Sequence, residues 1–382
     1  MSLDNNEIKA VANFNNLLAD LNNAYCERSE EISLLATSLI AEQPAVLLGP
    51  AGTGKSALVR SFADSVVYND DELGFFQYLL NKFTTPSELF GAPSIKELKE
   101  NDRLVLNTSG KLPTARVAFL DEVFKCSSAT LNSLLTILNE REYDDGSGIR
   151  KKAATEVIIG ASNEMPEDGL DPLWDRFVLR HWVQDIRHED SFLSLLTGEG
   201  IGEVTESVTI AEINLIRNIR DRVDINGILD TFLKLRKEME KLNIRVSGRK
   251  WRKCVEVVKS VAAIKGRERA VASDCGVLEY VLWDQPEQCV AIAKTLANVA
   301  AGDAKKALEL ADSAREKVTF NSEGKVDFEN ATIKDVGACK RALNAVLKEM
   351  EALDGEDDMV LRCLEEVREL YGEVCQCLKK LV

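Results

Sequence analysis

Apolar positions recur along this chain in two periods, and the change from one to the other divides it. Between residues 6 and 42, Ile8, Val11, Phe14, Leu17, Leu18 and Leu21, then Ile32, Leu35 and Leu39, return every three or four positions. That spacing predicts helices with one apolar face. Short continuous apolar runs follow at 45–48, 75–79, 117–120, 157–160 and 178–182. Such runs predict strands of a parallel sheet buried on both faces. Helical stretches, including 54–66 and 127–140, lie between most of them, the alternation of an α/β fold. Two segments break the rhythm. Leu104-Val105-Leu106 with Asn107 to Gly110, and Tyr143-Asp144-Asp145-Gly146-Ser147-Gly148-Ile149, each predict a small hairpin, the second with its turn set by Asp-Gly.

After about residue 190 the strand pattern stops. Residues 209–282 read as helices, with breaks near Asp224–Gly227, Leu242–Gly248 and Lys265–Ala272. Beyond Pro286 two sharp stripes appear. One is Ile333, Val336, Cys339, Leu343, Val346, Met350 and Leu353; the other is Val360, Leu364, Val367, Leu370, Val374 and Leu378. With Asp354-Gly355-Glu356-Asp357-Asp358 as a turn, they predict an antiparallel helical hairpin, joined by a third helix over about 286–316. Asn321 to Asn330 is the polar loop of that region. Three parts follow: an α/β part over 1–190 that begins with the N-terminal helix, a helical part over 191–285 and a helical bundle over 286–382.

Composition narrows the function classes. The chain has 382 residues, 45% hydrophobic and 29% charged, enough for two or three domains. Its net charge of −15 argues against nonspecific duplex binding, which needs cations to neutralise phosphates. A local basic patch, or a strand threaded through an assembled ring, stays open. Nine cysteines, an odd number without a metal-like CxxC pair, predict free thiols in a reducing compartment. The two histidines, His181 and His188, have no partner at metal-binding spacing. Neither a basic leader nor a membrane-length apolar run is present, so the expected location is the cytoplasm.

The chemistry starts after the first apolar run. Ala45-Val46-Leu47-Leu48 leads into Gly49-Pro50-Ala51-Gly52-Thr53-Gly54-Lys55-Ser56, with Ala57-Leu58-Val59 opening a helix. This is a phosphate-binding P-loop. Gly49, Gly52 and Gly54 let backbone N–H groups turn inward around a phosphate chain. Lys55 reaches the β and γ phosphates as a point charge, and Ser56 offers a hydroxyl to Mg²⁺. Some 65 residues on, Val117-Ala118-Phe119-Leu120 ends in Asp121-Glu122. Asp121 can hold Mg²⁺ through water beside Ser56; Glu122 can polarise an attacking water. A third run, Val157 to Ala161, ends at Ser162-Asn163, which puts an amide at a strand tip.

In order, these residues resemble the AAA+ ATPases. Tyr25-Cys26-Glu27-Arg28-Ser29, Thr85-Pro86-Ser87-Glu88-Leu89-Phe90-Gly91, Thr108-Ser109-Gly110-Lys111-Leu112-Pro113, Leu134-Leu135-Thr136-Ile137-Leu138-Asn139-Glu140-Arg141, Ala161-Ser162-Asn163-Glu164-Met165-Pro166, Val246-Ser247-Gly248-Arg249-Lys250-Trp251 and Val281-Leu282-Trp283-Asp284 are similar to the MoxR family, in its RavA branch. The resemblance spans about 8–290. It implies an AAA+ P-loop core whose parallel sheet lies between helices, an α-helical lid and the C-terminal helical bundle. ATP would be bound with Mg²⁺ by Gly49, Gly52, Thr53, Gly54, Lys55, Ser56 and Ala57, with Tyr25 at the adenine. Asn163 would sense the γ-phosphate. Arg176, in Leu173-Trp174-Asp175-Arg176-Phe177, would be the arginine finger for a neighbouring subunit, with Arg180 as the competing candidate. Arg249 would be a second sensor reaching the nucleotide from the lid. The family's rings are typically hexameric, and the two hairpins would be its insertions near the pore. A protein partner with a von Willebrand factor A domain is implied as well. RavA-like chains also carry a β-rich domain inserted in the C-terminal bundle, which recruits a lysine decarboxylase. Here only Val318 to Asn330 lies between the helices, so that partner is not carried over.

The reading is a Mg²⁺-dependent ATPase that works as a ring and remodels or assembles a protein. Two rivals use the same core. A nucleic-acid-stimulated NTPase or motor sits poorly with the acidic charge and the lack of an aromatic–basic stacking run. A scaffold in which nucleotide only locks the ring sits poorly with the intact Asp121–Glu122 pair and Asn163.

Overall fold

The computed structural model describes residues 3–69, 73–167, 169–198, 202–300, 302–319, 326, 328, 333–353 and 358–381. Helix α1 (Asn5–Ala24) starts at a capping box: the Asp4 side chain accepts from the Asn6 and Glu7 amides, and Glu7 accepts from the Asp4 amide. It buries Ala10, Phe14, Leu17 and Leu21, one face at helical spacing. Helix α2 (Ser29–Ala41) leads into the sheet.

Five strands form that sheet: β1 (Ala45–Leu48), β2 (Leu73–Leu79), β3 (Ala115–Asp121), β4 (Val157–Ser162) and β5 (Leu179–Trp182). All pair in parallel, in the spatial order β2-β3-β4-β1-β5. Every residue of β1 and β4 is buried, which is why these runs are apolar without alternation. Each Leu, Val or Ile so buried contributes about 2 kcal/mol. Leu48 stands opposite Ser162 and Trp182, and Asp121 opposite Leu79. The register therefore ends β1, β3 and β4 at one edge of the sheet. Parallel sheets bind ligands beyond that carboxyl edge, where the strand order reverses.

Helix α3 (Lys55–Asp64) follows β1, and α4 (Ser128–Glu140) lies between β3 and β4. The second predicted hairpin forms, Glu142–Asp144 pairing antiparallel with Arg150–Lys152. The first does not. A helix at Ile95–Asn101 carries the chain back, so 105–107 pairs with 92–94: Ser94 donates to Val105 O (2.7 Å) and Asn107 to Ala92 O (2.8 Å). Leu106 then donates to Asp145 O (2.7 Å), so the second insertion satisfies backbone that the first leaves open.

Beyond β5 come α5 (Glu189–Thr197), α6 (Ile210–Arg222) and α7 (Gly248–Ile264). The chain divides into two compact units. One comprises residues up to Val223, Val246–Glu268 and Tyr280–Pro286; the other comprises Asp224–Arg245, Arg269–Glu279 and Glu287–Val382. The helices expected as one lid over 191–285 are shared between them: α6 and α7 belong to the first unit, Leu229–Lys241 to the second. Within the first unit α7 packs on α2 and α6.

The second unit holds helices at Cys289–Ala300, Gly302–Glu316, Ile333–Met350 and Asp358–Leu381. Where one helix over 286–316 was expected, two stand, the second opening at Gly302. The two stripes meet as predicted, with Val336, Leu343, Val346 and Met350 buried in one core with Val360, Leu364, Val367 and Val374. The turn residues 354–357, and the loop 321–330 save 326 and 328, lie outside the described residues. All nine cysteines are free thiols. Among the described residues no helix is long and apolar enough to cross a membrane.

Candidate nucleotide-binding site

The loop after β1 is shaped by its glycines. Gly49 has φ 136°, and a Cβ there would stand 2.4 Å from Val183 O; no other residue fits between β1 and the end of β5. Its amide donates to Ser162 O at 3.1 Å, tying the loop to β4. At Gly52 and Gly54 φ is 87° and 83°, and a Cβ would meet no atom within 4 Å. The loop is open on that side, as a cradle for phosphates must be.

Lys55 is almost wholly buried, its ammonium close to Gly49 O (2.6 Å), Pro50 O (2.7 Å) and Asn163 Oδ1 (3.3 Å). Burial pushes its pKa below the ordinary lysine value, and the charges of Asp121 and Glu122 oppose that shift. Ser56 Oγ donates to Asp121 Oδ2 at 2.9 Å across two strands' worth of sequence. Two hard oxygen donors so placed, one ionised, suit a Mg²⁺ ion that keeps several of its waters.

Glu122 adopts a left-handed backbone (φ 53°) as the chain leaves β3, which aims its carboxylate back along the sheet edge. Asn163 Nδ2 donates to Glu122 Oε1 at 2.6 Å. Lys125 Nζ forms an ion pair with Oε2 at 3.1 Å. Asn163 thus touches Lys55 through its oxygen and Glu122 through its nitrogen. One amide joins the phosphate-binding lysine to the carboxylate that would activate water.

A cavity of about 470 Å³ opens beside the loop, lined by Tyr25, Ile186, Phe192 and Leu195 with Gly52 and Gly54. Its aromatic and aliphatic walls suit a flat heterocycle. Tyr25 Oη donates to Ala57 O at 3.2 Å, so Tyr25 and Ala57 meet at the start of α3.

The three arginines part company. Arg180 is 1% exposed: Nε donates to Phe177 O, Nη2 to Trp174 O, and Nη1 to Trp283 O and Asp284 Oδ1, while the guanidinium lies 4.1 Å from the centre of the Trp174 ring. Its donors are committed to holding the fold. Arg176 is half-buried, its Nε buried without a hydrogen-bond partner. Arg249 is exposed and donates to Asn139 Oδ1 at 2.7 Å, near the end of α4. Eleven residues of helix separate Asn139 from Ser128, about 16 Å at the helical rise. Arg249 therefore stands at the far end of the helix that begins beside Glu122. The structure brings Lys55, Ser56, Asp121, Glu122 and Asn163 together, and does not bring Arg176 or Arg249 to them.

Comparison with known proteins matches this arrangement. A family profile described as the MoxR domain in the MoxR-vWA-beta-propeller ternary systems covers residues 12–220, more than half of the chain. The chain belongs to the MoxR family of AAA+ proteins. A second profile, an AAA lid domain, covers residues 227–296 of this MoxR protein. Among its relatives are two proteins of Methanocaldococcus jannaschii. Uncharacterized protein MJ0079 is 35% identical over 86% of this chain and 83% of its own. Uncharacterized protein MJ0812 is 38% identical over 78% of this chain and 80% of its own. In fold, the chain is similar to the crystal structure of a candidate ATPase from Cytophaga hutchinsonii: TM-score 0.59 at 14% identity, covering 77% of this chain and 95% of that one.

Two further side chains tie the surroundings of the P-loop together. Arg28, 8% exposed, donates through Nε (3.2 Å) and Nη2 (3.0 Å) to Thr53 O, bracing the P-loop from behind. Glu27 accepts the amides of Arg187 and His188, both at 2.9 Å, and those two bonds push its carboxyl down to about 2. It thereby straps the entry to α5, whose Phe192 and Leu195 line the cavity. Their partners lie 25 and 160 residues away, so no local motif announces them. The one available signal was the segment Tyr25-Cys26-Glu27-Arg28-Ser29, whose resemblance to the family marks these residues without naming their partners.

Proposed function

We propose that this MoxR protein hydrolyses ATP to ADP and phosphate as one subunit of a homo-oligomeric ring. The observation that carries the reading is the Lys55–Asn163–Glu122 chain at the tips of β1, β4 and β3. Lys55 and the loop amides bind the phosphates, and the cavity at Tyr25 takes the base. When Mg²⁺ is bound, it neutralises charge on the β and γ phosphates; Ser56 and, through water, Asp121 would hold it. Glu122 accepts a proton from the water that attacks the γ-phosphorus, while Asn163 keeps the carboxylate oriented. The β–γ bridging bond breaks and its electron pair stays on ADP. Arg176, whose buried Nε has no hydrogen-bond partner among the described residues, is the group we assign to the neighbour's γ-phosphate, where added positive charge offsets what develops in transfer. Arg180 is excluded by its own bonds.

The cycle would serve to remodel or assemble a protein. The family description, with its von Willebrand factor A and β-propeller components, supports a partner of those classes. The local wording of the sequence supports a place near the RavA branch. The test is a pair of variants. Lys55→Ala should lose ATP binding; Glu122→Gln should bind ATP and lose turnover by about a hundredfold or more. Glu122→Gln with wild-type turnover would refute the assignment of the base. The same variant with ATP, used as a trap in a pull-down, should retain the partner.

A further inference from the structure

Several buried or half-buried cations of this unit are paired. Arg217 meets Glu156, Arg220 and Arg141 meet Glu42, Arg222 meets Glu7 and Glu268, and Arg180 shares Asp284 with Lys250. The chain has acids to spare, 63 against 48 basic residues. One group at the start of α7 brings cations together instead.

The first turns of α7 carry Arg249 and Lys253 four residues apart, on one face of the helix. Between them Lys250 bonds Asp284 (2.9 Å), which also bonds Arg180 (2.6 Å). Arg180 in turn lies on Trp174 and bonds its carbonyl. This fastening sets α7 against the turn 173–177, where Arg176 projects two residues after Trp174. Among the described residues Arg176 and Lys253 have no ion pair or hydrogen bond, and Arg249 has only the amide oxygen of Asn139. Burial first, then the charges of Arg249, Arg176 and Arg180, push the Lys253 amine down to about 8, with Asp175 alone opposing. Lys253 thus stands in the field of Arg249 and Arg176 without a bonded anion among the described residues. Like charges held so repel one another, an arrangement that becomes favourable when a multiply charged anion arrives.

We propose that Lys253 is a further catalytic residue, completing with Arg176 and Arg249 a three-cation group that grips the γ-phosphate of the ATP bound to the neighbouring copy. The proposal rests on the ring reading above, and adds to it a residue and a place for Arg249. The cis site supports the assignment. Its own buried arginine, Arg28, is bonded to Thr53 O and is not free to meet the transferring group, which leaves Lys55 as its cis cation. Phosphate oxygens would supply the counter-charge that the protein withholds, and would hold Lys253 in its protonated form.

The experiment is subunit complementation. Lys253→Met and Lys253→Arg are made in the full chain, assayed alone, and mixed in equal amounts with Lys55→Ala. Lys253→Met alone should lose turnover by about tenfold or more, and Lys253→Arg should keep most of it. In the mixture an intact P-loop can sit beside a subunit with an intact Lys253. With random assembly about a quarter of the sites are complete, so turnover should rise well above either variant alone. Arg176→Ala mixed with Lys55→Ala is the control. If that control recovers turnover and the Lys253→Met mixture does not, Lys253 acts only within its own subunit and the proposal falls while the ring reading stands. If neither mixture recovers, the ring reading itself fails. Lys253→Met with wild-type turnover would also overturn the proposal.

Discussion

Replacing Arg28 with methionine should weaken nucleotide binding chiefly by loosening the P-loop, although Arg28 also lines the cavity at Tyr25. The guanidinium is buried and gives two hydrogen bonds to one acceptor, Thr53 O, at 3.2 and 3.0 Å. A bond from a charged donor is worth about 1.5–3 kcal/mol. Because the two share one oxygen, about 2 kcal/mol is the loss to expect rather than twice that. Methionine fills similar space, so the loss should fall on the order of the loop and not on the core. At 1.4 kcal/mol per tenfold, it corresponds to ATP binding about thirtyfold weaker. Lysine at the same position keeps the charge but has no fork, and should lose about half that free energy. The assay is titration with a fluorescent ATP analogue on the purified protein, with thermal unfolding run alongside. Dissociation constants should rise in the order wild type, Arg28→Lys, Arg28→Met, while turnover at saturating ATP falls by less than about threefold. A folded Arg28→Met protein with unchanged affinity, or with unchanged affinity and lost turnover, would refute the idea that Arg28 braces the loop.

Arg180→Met should lower stability by about 3 kcal/mol, because it strips Asp284 and three carbonyls of a buried partner; Arg176→Met should leave the unfolding temperature unchanged and remove turnover, and the two read together by calorimetry and ATPase assay separate scaffold from chemistry. Gly49→Ala, with φ at 136° and Val183 O 2.4 Å from the new Cβ, should destabilise the core by about 2 kcal/mol or more, whereas Gly52→Ala, strained at φ 87° but free of clashes, should cost about 1 kcal/mol and weaken ATP binding. Glu27 titrates below its ordinary value in the folded protein, so its contribution is complete at pH values above the ordinary carboxylate range and is lost as pH falls toward about 2. Hydrogen exchange at the Arg187 and His188 amides should stay slow at pH 5 and accelerate, relative to the intrinsic rate, below pH 4; Glu27→Ala should show fast exchange at every pH.

The sequence by itself determined whatever depends on contiguous residues. A P-loop is a strand, a glycine turn and a helix in succession, so Gly49 to Ser56 announce it. Asp121, Glu122 and Asn163 stand where apolar runs end, and parallel strands covered on both faces cannot hide such runs. Period alone also located α1, α2 and the two stripes of the bundle. The tertiary structure decided what depends on which distant groups meet. The segment 104–110 looked like a hairpin because its own residues favour one, but pairing with 92–94 satisfied its backbone better once a helix had turned the chain. Arg176 and Arg180 are alike in sequence; only burial and the bonds to Trp283 and Asp284 show that one is consumed by the fold. Arg249, expected to reach a nucleotide from the lid, bonds Asn139 here, on a helix that Lys250 fastens to Asp284, 34 residues away. Side-chain hydrogen bonds reach about 3 Å, and a chain brings two residues that close only after it has folded.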